Sequence, residues 1–267
     1  MKQYIPTHDI VLLTFDTLRY DVACAEWANG GTPNLRALLP AGWQERHSPG
    51  SFTYAAHQAM FAGFMPTPAT PGPHPRLFAA RFAGSETTVD QTFVFDAPEV
   101  ITGLAQVGYR TICIGGVGFF NRQTALSCVL PDLFHEAYWE PHLGVTEPRS
   151  IEFQVALAVE RLRAIPAAQR IFLFINISAL HQPNAHYLAG ATGDTIESHA
   201  AALRYVDSQL PALFAALRQR NPTFMMLCSD HGTAYGEDGF YGHRLAHPSV
   251  WTVPYADCCL EEADASA

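Results

Sequence analysis

No run in this sequence is long and apolar enough to span a bilayer, and its first residues lack a charged-then-apolar leader pattern. No membrane partner is therefore expected. Charge is scarce too: 15% of residues are charged and the formal net charge is -9. Such a chain does not hold nucleic acid by general phosphate attraction. A bound metal can still turn the local field toward a small anion. The six cysteines show no CxxC spacing. Cys113 and Cys228 fall within or at the end of apolar runs, where a thiol packs as a small hydrophobe. A reduced, cytoplasmic setting is the expectation. Gly115-Gly116-Val117-Gly118 has neither a P-loop lysine nor full GxGxxG spacing, and reads as a turn. There is no internal repeat and no linker, so residues 1–267 are expected to form one domain.

What the chain does have is histidine, twelve in all, and four short apolar runs. Ile10–Phe15, Thr111–Ile114, Ile171–Ile177 and Phe224–Leu227 are nearly continuous rather than alternating, as strands covered on both faces are. Helical patterns lie between them: Pro98 to Val107 with Gly108 as its stop, Ser150 to Ile165, and Glu197 to Leu217 with Pro211 kinking or dividing it. Strands alternating with helices predict an α/β fold, a three-layer α/β/α sandwich around a mostly parallel sheet. Pro66 to Pro75, rich in proline and threonine, reads as an ordered surface loop.

In such sheets, sites gather beyond the carboxyl ends of the strands. Asp16 follows the first run and Gly115-Gly116 the second. His181 lies past the third, and Asp230-His231 follow the fourth. The last of these is the richest. A buried strand delivers two adjacent metal-ligand types, then a loop punctuated by Gly232, Gly236, Gly239 and Gly242 returns His243. A polar turn with incidental histidines is the bland alternative.

Each residue has such an alternative. Asp16 by itself suits a turn or helix cap. Thr53, just before a helix-like run ending near Gly63, suits an N-cap. That same position aims its hydroxyl where helix-end N–H groups favour anions. A threonine hydroxyl is a poor nucleophile unless a metal or base activates it, and Asp16, Asp230 and His231 would supply the metal. His181 reads equally as a second ligand or substrate donor and as a buried histidine satisfied by backbone. His57, His186 and His247 are weaker candidates, structural or supporting. Asp207 reads as a solvated or helix-packing residue.

Together these segments resemble the alkaline phosphatase superfamily in its sulfatase-like branch. Asp9 to Asp21 is similar to that branch's first strand and metal aspartate, and Thr32-Pro33-Asn34-Leu35 to the segment that follows it. Thr53 to Gly63 resembles its nucleophile helix and Leu180-His181-Gln182-Pro183 its His-x-Pro segment. Tyr205-Val206-Asp207 resembles its next helix, and Ser229-Asp230-His231-Gly232 with His243 its Ser-Asp-His-Gly signature and trailing histidine. The resemblance runs from about residue 8 to 256. It implies that Asp16, Thr53, Asp230 and His231 bind the main metal, with Thr53 also the nucleophile. His181 and His243 match histidines that, in the phosphoethanolamine-transferase relatives, contact substrate or a second metal.

The departures are informative. True sulfatases place an oxidisable cysteine or serine at the nucleophile position, followed by x-Pro-x-Arg; here the segment is Thr53 to His57. Threonine cannot give the formylglycine aldehyde, so sulfatase activity is the weaker expectation. The usual second aspartate is replaced by Thr17. A mixed Asp/His/Thr set suits zinc best, manganese next, and calcium or magnesium less well. The expected activity is hydrolysis of phosphate diesters or phosphonate-like esters by a threonine nucleophile, with a small-molecule ester as substrate. The alternatives are an intracellular phosphoryl- or phosphoethanolamine-type transferase and a metal-binding protein without catalysis. A homo-oligomer is compatible with the sequence.

Overall fold

The continuous apolar runs become the centre of one sheet, because only a site covered on both faces accepts an unbroken row of Ile, Val, Leu and Phe. The computed structural model describes residues 3–5, 7–63, 78–80, 93–95 and 99–261. The chain enters β1 (Asp9–Phe15), turns through α1 (Tyr20–Asn29) and α2 (Pro33–Leu38), and follows β2 (Gln44–His47) to α3 (Thr53–Ala62). β3 (Phe78–Ala80) and β4 (Phe93–Phe95) pair as a separate parallel sheet. Next come α4 (Val100–Gln106), β5 (Arg110–Ile114), α5 (Ala125–Cys128), β6 (Glu136–Tyr138), α6 (Ser150–Ala164) and β7 (Ile171–Ile177). They are followed by α7 (Ile196–Gln209), α8 (Pro211–Arg218) and β8 (Thr223–Cys228). The chain closes with the hairpin β9 (Ala234–Tyr235) and β10 (Tyr241–Gly242), α9 (Pro248–Trp251) and β11 (Thr252–Leu260).

The main sheet has seven strands in the order β2-β11-β8-β1-β7-β5-β6. From β8 to β6 every neighbour is parallel; β11 runs antiparallel to both β8 and β2. Side chains alternate between two cores. Val11, Leu13, Leu173 and Ile175 pack with Val22 of α1, Val155 of α6, Leu203 of α7 and Leu213 of α8. Ile10, Phe172 and Phe174 face the other way, onto Phe61 of α3 and Ile101 and Leu104 of α4. Helices on both faces of a mostly parallel sheet make the α/β/α sandwich.

The three expected helices are present with adjusted ends. Pro211 divides the long one, since it has no N–H to give and its ring crowds the preceding turn. The first begins at Val100; Pro98 and the Pro66–Pro75 loop lie outside the described residues. β2, β6 and β11 were not foreseen. Asp207 is a helix-packing residue rather than a solvated one. It is buried and accepts from the backbone N–H groups of Asn34 and Leu35 at 3.2 and 2.7 Å, holding the first turn of α2.

Candidate active site

Parallel register brings the chemistry to one level. Thr14 lies beside Asn176 of β7 and Cys228 of β8, so Asp16 and Asp230 each emerge two residues further on. Even-numbered positions here face α3. The Asp16 N–H donates to Ile177 O at 3.0 Å, and the chain then turns at Thr17, a β-branched residue at φ 65°. Such backbone is costly for a non-glycine residue and tends to be kept at functional sites. The Thr17 N–H donates to Asp230 Oδ1 at 3.3 Å, tying the two strand ends together. Beyond His231, the Gly232 N–H donates to Val250 O at 2.7 Å. A Cβ at Gly232 would lie 2.0 Å from Ser249 O, so only glycine permits this approach. Thr53 is the first residue of α3, and the preceding Phe52 offers no side-chain cap. The first-turn N–H groups have no partner within the helix and no side-chain cap from Phe52. Gly50 crosses that turn so closely that its Cβ would lie 2.6 Å from the Ala56 nitrogen.

Asp16, Thr53, Asp230 and His231 converge and are all buried. His231 Nε2 lies 3.6 Å from Asp230 Oδ2, 3.9 Å from Asp16 Oδ1 and 3.4 Å from Thr53 Oγ1. Thr53 Oγ1 lies 3.3 Å from Asp16 Oδ2. Ligands about 2.1 Å from a tetrahedral ion stand about 3.4 Å apart, so these separations approximate the edges of one coordination polyhedron. Asp16 Oδ1 and Asp230 Oδ2, the oxygens facing His231, have no hydrogen-bond partner among the described residues. Buried carboxylate oxygens without partners are expensive. His231 Nδ1 donates to Gly232 O at 2.9 Å, since a carbonyl only accepts, which leaves the Nε2 lone pair directed at the carboxylates. The donor set fits a divalent cation held by Asp16, Asp230 and His231, with Thr53 beside it.

Electrostatics agree. Burial first, then the neighbouring Asp230 carboxylate, raises the Asp16 pKa; burial raises that of Asp230 against three backbone N–H contacts. Burial lowers the His231 pKa despite nearby Asp16, keeping the imidazole neutral and able to coordinate. A cation would relieve both carboxylates.

His181 and His243 stand on the open side. The His243 ring centroid is 4.7 Å from that of His231 and 5.3 Å from that of His181. Neither belongs to the cluster of potential ligand atoms within 4.8 Å of one another, which comprises Asp16, Asp230 and His231. Burial first, then the other two histidines, pushes the His243 pKa down to about 3. His181 Nδ1 donates to Gln182 O at 2.6 Å. A cavity of about 370 Å³ opens here, with Thr53, His181 and His243 among its walls together with Val117, Phe119 and Arg244. Gly115–Gln123 thus contributes to the pocket, whereas Pro66–Arg76 lies outside the described residues.

Supporting residues complete the site. His57 is fully buried; its Nδ1 donates to Thr53 O at 2.7 Å and its Nε2 accepts from Thr14 Oγ1 at 3.1 Å. It therefore pins the start of α3 to β1. His247 caps α9 through its contact with Ser249, and His186 sits against Tyr187. Asn176, which belongs to no motif of the sequence, donates to Asp16 Oδ2 at 3.1 Å and accepts from the Val117 N–H at 3.2 Å. Its signal was a lone amide inside a fully buried strand.

The fold and the site define a member of the alkaline phosphatase superfamily. The chain belongs to the Sulfatase family, whose model matches residues 8–255. A search of the curated proteins finds no match. Among solved structures, the chain is similar to the periplasmic domain of phosphoethanolamine transferase EptC from Campylobacter jejuni. That match has 15% identity and a TM-score of 0.62, covering 95% of this chain and 80% of that one. The zinc complex of EptC from Escherichia coli matches at 14% identity and TM-score 0.62, over 97% and 73%. A sulfatase-like protein, yidJ of Bacteroides fragilis, matches at 17% identity and TM-score 0.61, over 94% and 68%. At these identities the likeness carries the fold. Among the described residues, no helix is long and apolar enough to cross a membrane.

Proposed function

We propose that this protein is a metal-dependent hydrolase of phosphate diesters or phosphonate-like esters, with Thr53 as its nucleophile and zinc as its preferred metal. The observation that carries the reading is Thr53 Oγ1, at the start of α3 and on the cavity wall, 3.3 Å from Asp16 Oδ2 and 3.4 Å from His231 Nε2. When bound, the divalent cation lowers the pKa of the neighbouring hydroxyl and neutralises charge on the transferring group.

The chain's own groups perform the remaining work. The first-turn N–H groups of α3 receive a non-bridging oxygen of the ester. Thr53 Oγ, beside Asp16 and His231, attacks phosphorus and releases its proton toward the departing ester oxygen. The P–O bond to the ester oxygen breaks, that oxygen takes up the proton released by Thr53 and leaves as the alcohol, and water then hydrolyses the phosphorylated Thr53, which still bears the second ester arm. His243, kept neutral, donates a hydrogen bond to a second non-bridging oxygen, and His181 serves the leaving oxygen. Asn176 holds the Asp16 carboxylate in place.

Thr53→Ala should abolish ester turnover while leaving the fold and metal content nearly intact, as read by circular dichroism and elemental analysis. A variant that keeps its rate removes Thr53 from the mechanism. The likeness to phosphoethanolamine transferases supports a second reading, transfer to an alcohol rather than to water. Product analysis with alcohols competing against water separates the two.

A further inference from the structure

The cavity beside Thr53 has an uneven charge. Among its described lining residues there is no carboxylate, and the one permanent cation is Arg244, with Asn121 and Gln123 as neutral polar neighbours. Arg244 follows His243 directly. It is exposed, yet its backbone is left-handed at φ 69°, and its N–H donates to Ser51 O at 2.8 Å. Gly242, two residues earlier, adopts φ 76° without penalty because it has no Cβ. Arginine at φ 69° bears a steric cost that glycine would avoid, and such costs persist where the side chain is used. The guanidinium carbon lies 5.7 Å from the centroid of the Phe52 ring, next to the proposed nucleophile. Among the described residues no carboxylate lies within 4.0 Å of it; the same is true of Arg36, Arg46, Arg163, Arg170 and Arg218, but of these Arg244 alone lines this cavity. In a chain of net charge -9, a cation without a carboxylate partner on a reaction cavity is a feature to explain.

We propose that Arg244 is a specificity residue that binds an oxyanion at the far end of the substrate's second ester arm. The preferred substrate is then a phosphodiester with an anionic terminus, a carboxylate or a further phosphate. An arm ending in an ammonium group, as in phosphoethanolamine, finds repulsion and no acidic partner among the described residues of this cavity. The inference rests on the hydrolase reading, since it concerns the other arm of the same ester. The guanidinium fork suits both planar carboxylate and tetrahedral phosphate.

The test uses zinc-loaded protein and four 4-nitrophenyl phosphodiesters that share one leaving group. Their second arms are propyl, 3-aminopropyl, 3-carboxypropyl and 3-phosphonooxypropyl. Either anionic arm should raise kcat/KM over propyl by about tenfold, the scale of one charge-assisted hydrogen bond, and the gain should lie in KM. The aminopropyl ester should fall at or below propyl. Arg244→Ala should erase the anionic advantage, Arg244→Lys should restore part of it, and Arg244→Glu should invert the order. Thermal melts of the variants confirm the fold. Equal loss on all four arms in Arg244→Ala, or no anionic preference in the unmodified protein, overturns the proposal.

If no ester turns over, the hydrolase reading fails, and the subsite is judged by calorimetric binding of the same esters to zinc-loaded Thr53→Ala. There the anionic arms should bind tighter than propyl, with the difference lost in Thr53→Ala/Arg244→Ala. Equal dissociation constants overturn the subsite. Separate results for the carboxylate and phosphate arms tell the two oxyanions apart.

Discussion

β1 carries a buried aspartate at its start and meets another just past its end, and the two are treated in opposite ways. Asp9 accepts the Ile171 N–H at 2.9 Å, Arg220 Nε at 3.1 Å and Asn221 Nδ2 at 3.3 Å, so its charge is fully answered within the chain. Arg220 in turn donates to Leu162 O and Gln169 O at 2.8 Å each. Asp16 instead meets a second carboxylate, Asp230, and a neutral imidazole, with one oxygen of each carboxylate left without a partner among the described residues. A buried charge that the chain satisfies itself is structural. Two that it leaves open toward each other need a cation from outside. Burial alone does not separate these cases, because both aspartates are 0% exposed; the inventory of partners does.

The largest effect should come from the open end. Asp230→Asn should abolish bound metal, measured on untreated protein by elemental analysis, and lower turnover by several kcal/mol in barrier, about 10³-fold. Chelation should lower the melting temperature of the unmodified protein and leave that of the variant unmoved. If Asp230→Asn keeps its metal, the two ends do not differ as argued.

The closed end should show the converse. Asp9→Ala strands the Arg220 guanidinium without its carboxylate, and should cost about 3–5 kcal/mol in urea denaturation with metal stoichiometry unchanged. A cost below about 1 kcal/mol would mean that the surrounding carbonyls alone satisfy Arg220.

Asn176→Ala sharpens the comparison at smaller scale. It removes the one side-chain amide donor on Asp16 while retaining every proposed ligand. Metal affinity, followed by competition with a chromophoric chelator, should fall by about 10- to 100-fold. No change would show that Asp16 is oriented by backbone alone.

At neutral pH the smallest effect concerns a buried group with an open atom and no charge. His199 is fully buried, its Nδ1 bonded to the Tyr235 hydroxyl at 2.9 Å and its Nε2 without a partner. Burial first, then the Arg19 charge, pushes its pKa down to about 3. The folded value lies below the unfolded one of about 6.5. The unfolded chain therefore takes up a proton that the folded chain refuses. The contribution to stability is complete above about pH 6.5 and is lost as pH falls toward 3, with a slope of up to about 1.4 kcal/mol per pH unit. His199→Gln should flatten that slope in denaturation series between pH 7 and 4; an unchanged slope assigns the proton uptake elsewhere.

Much of the centre of the fold was readable beforehand. The four runs became β1, β5, β7 and β8 because an unbroken apolar segment of that length has few other homes. Asp16 and Asp230-His231 stood out because a polar residue at the end of such a run marks the sheet's carboxyl edge. β11 was missed because its burial alternates, it contains Pro254, and its pairing with β8 and β2 is long-range. Asp207 follows its helix-packing alternative, not the solvated one, and its partners on α2, Asn34 and Leu35, were hidden because they lie far away in sequence. Asn176 and Arg244 carried no local pattern; one became visible through Asp16 and the other through a cavity wall and a left-handed φ.

By itself, then, the sequence determined where strands lie and which residue types emerge at their ends, because periodicity and side-chain chemistry are local properties. Only the tertiary structure decided that Asp9 is answered while Asp16 and Asp230 are not. It also decided that Thr53 Oγ1 meets Asp16 and His231 at the start of α3. Those outcomes depend on parallel register and on contacts between residues 37 to 211 positions apart, and no local preference of the chain contains them.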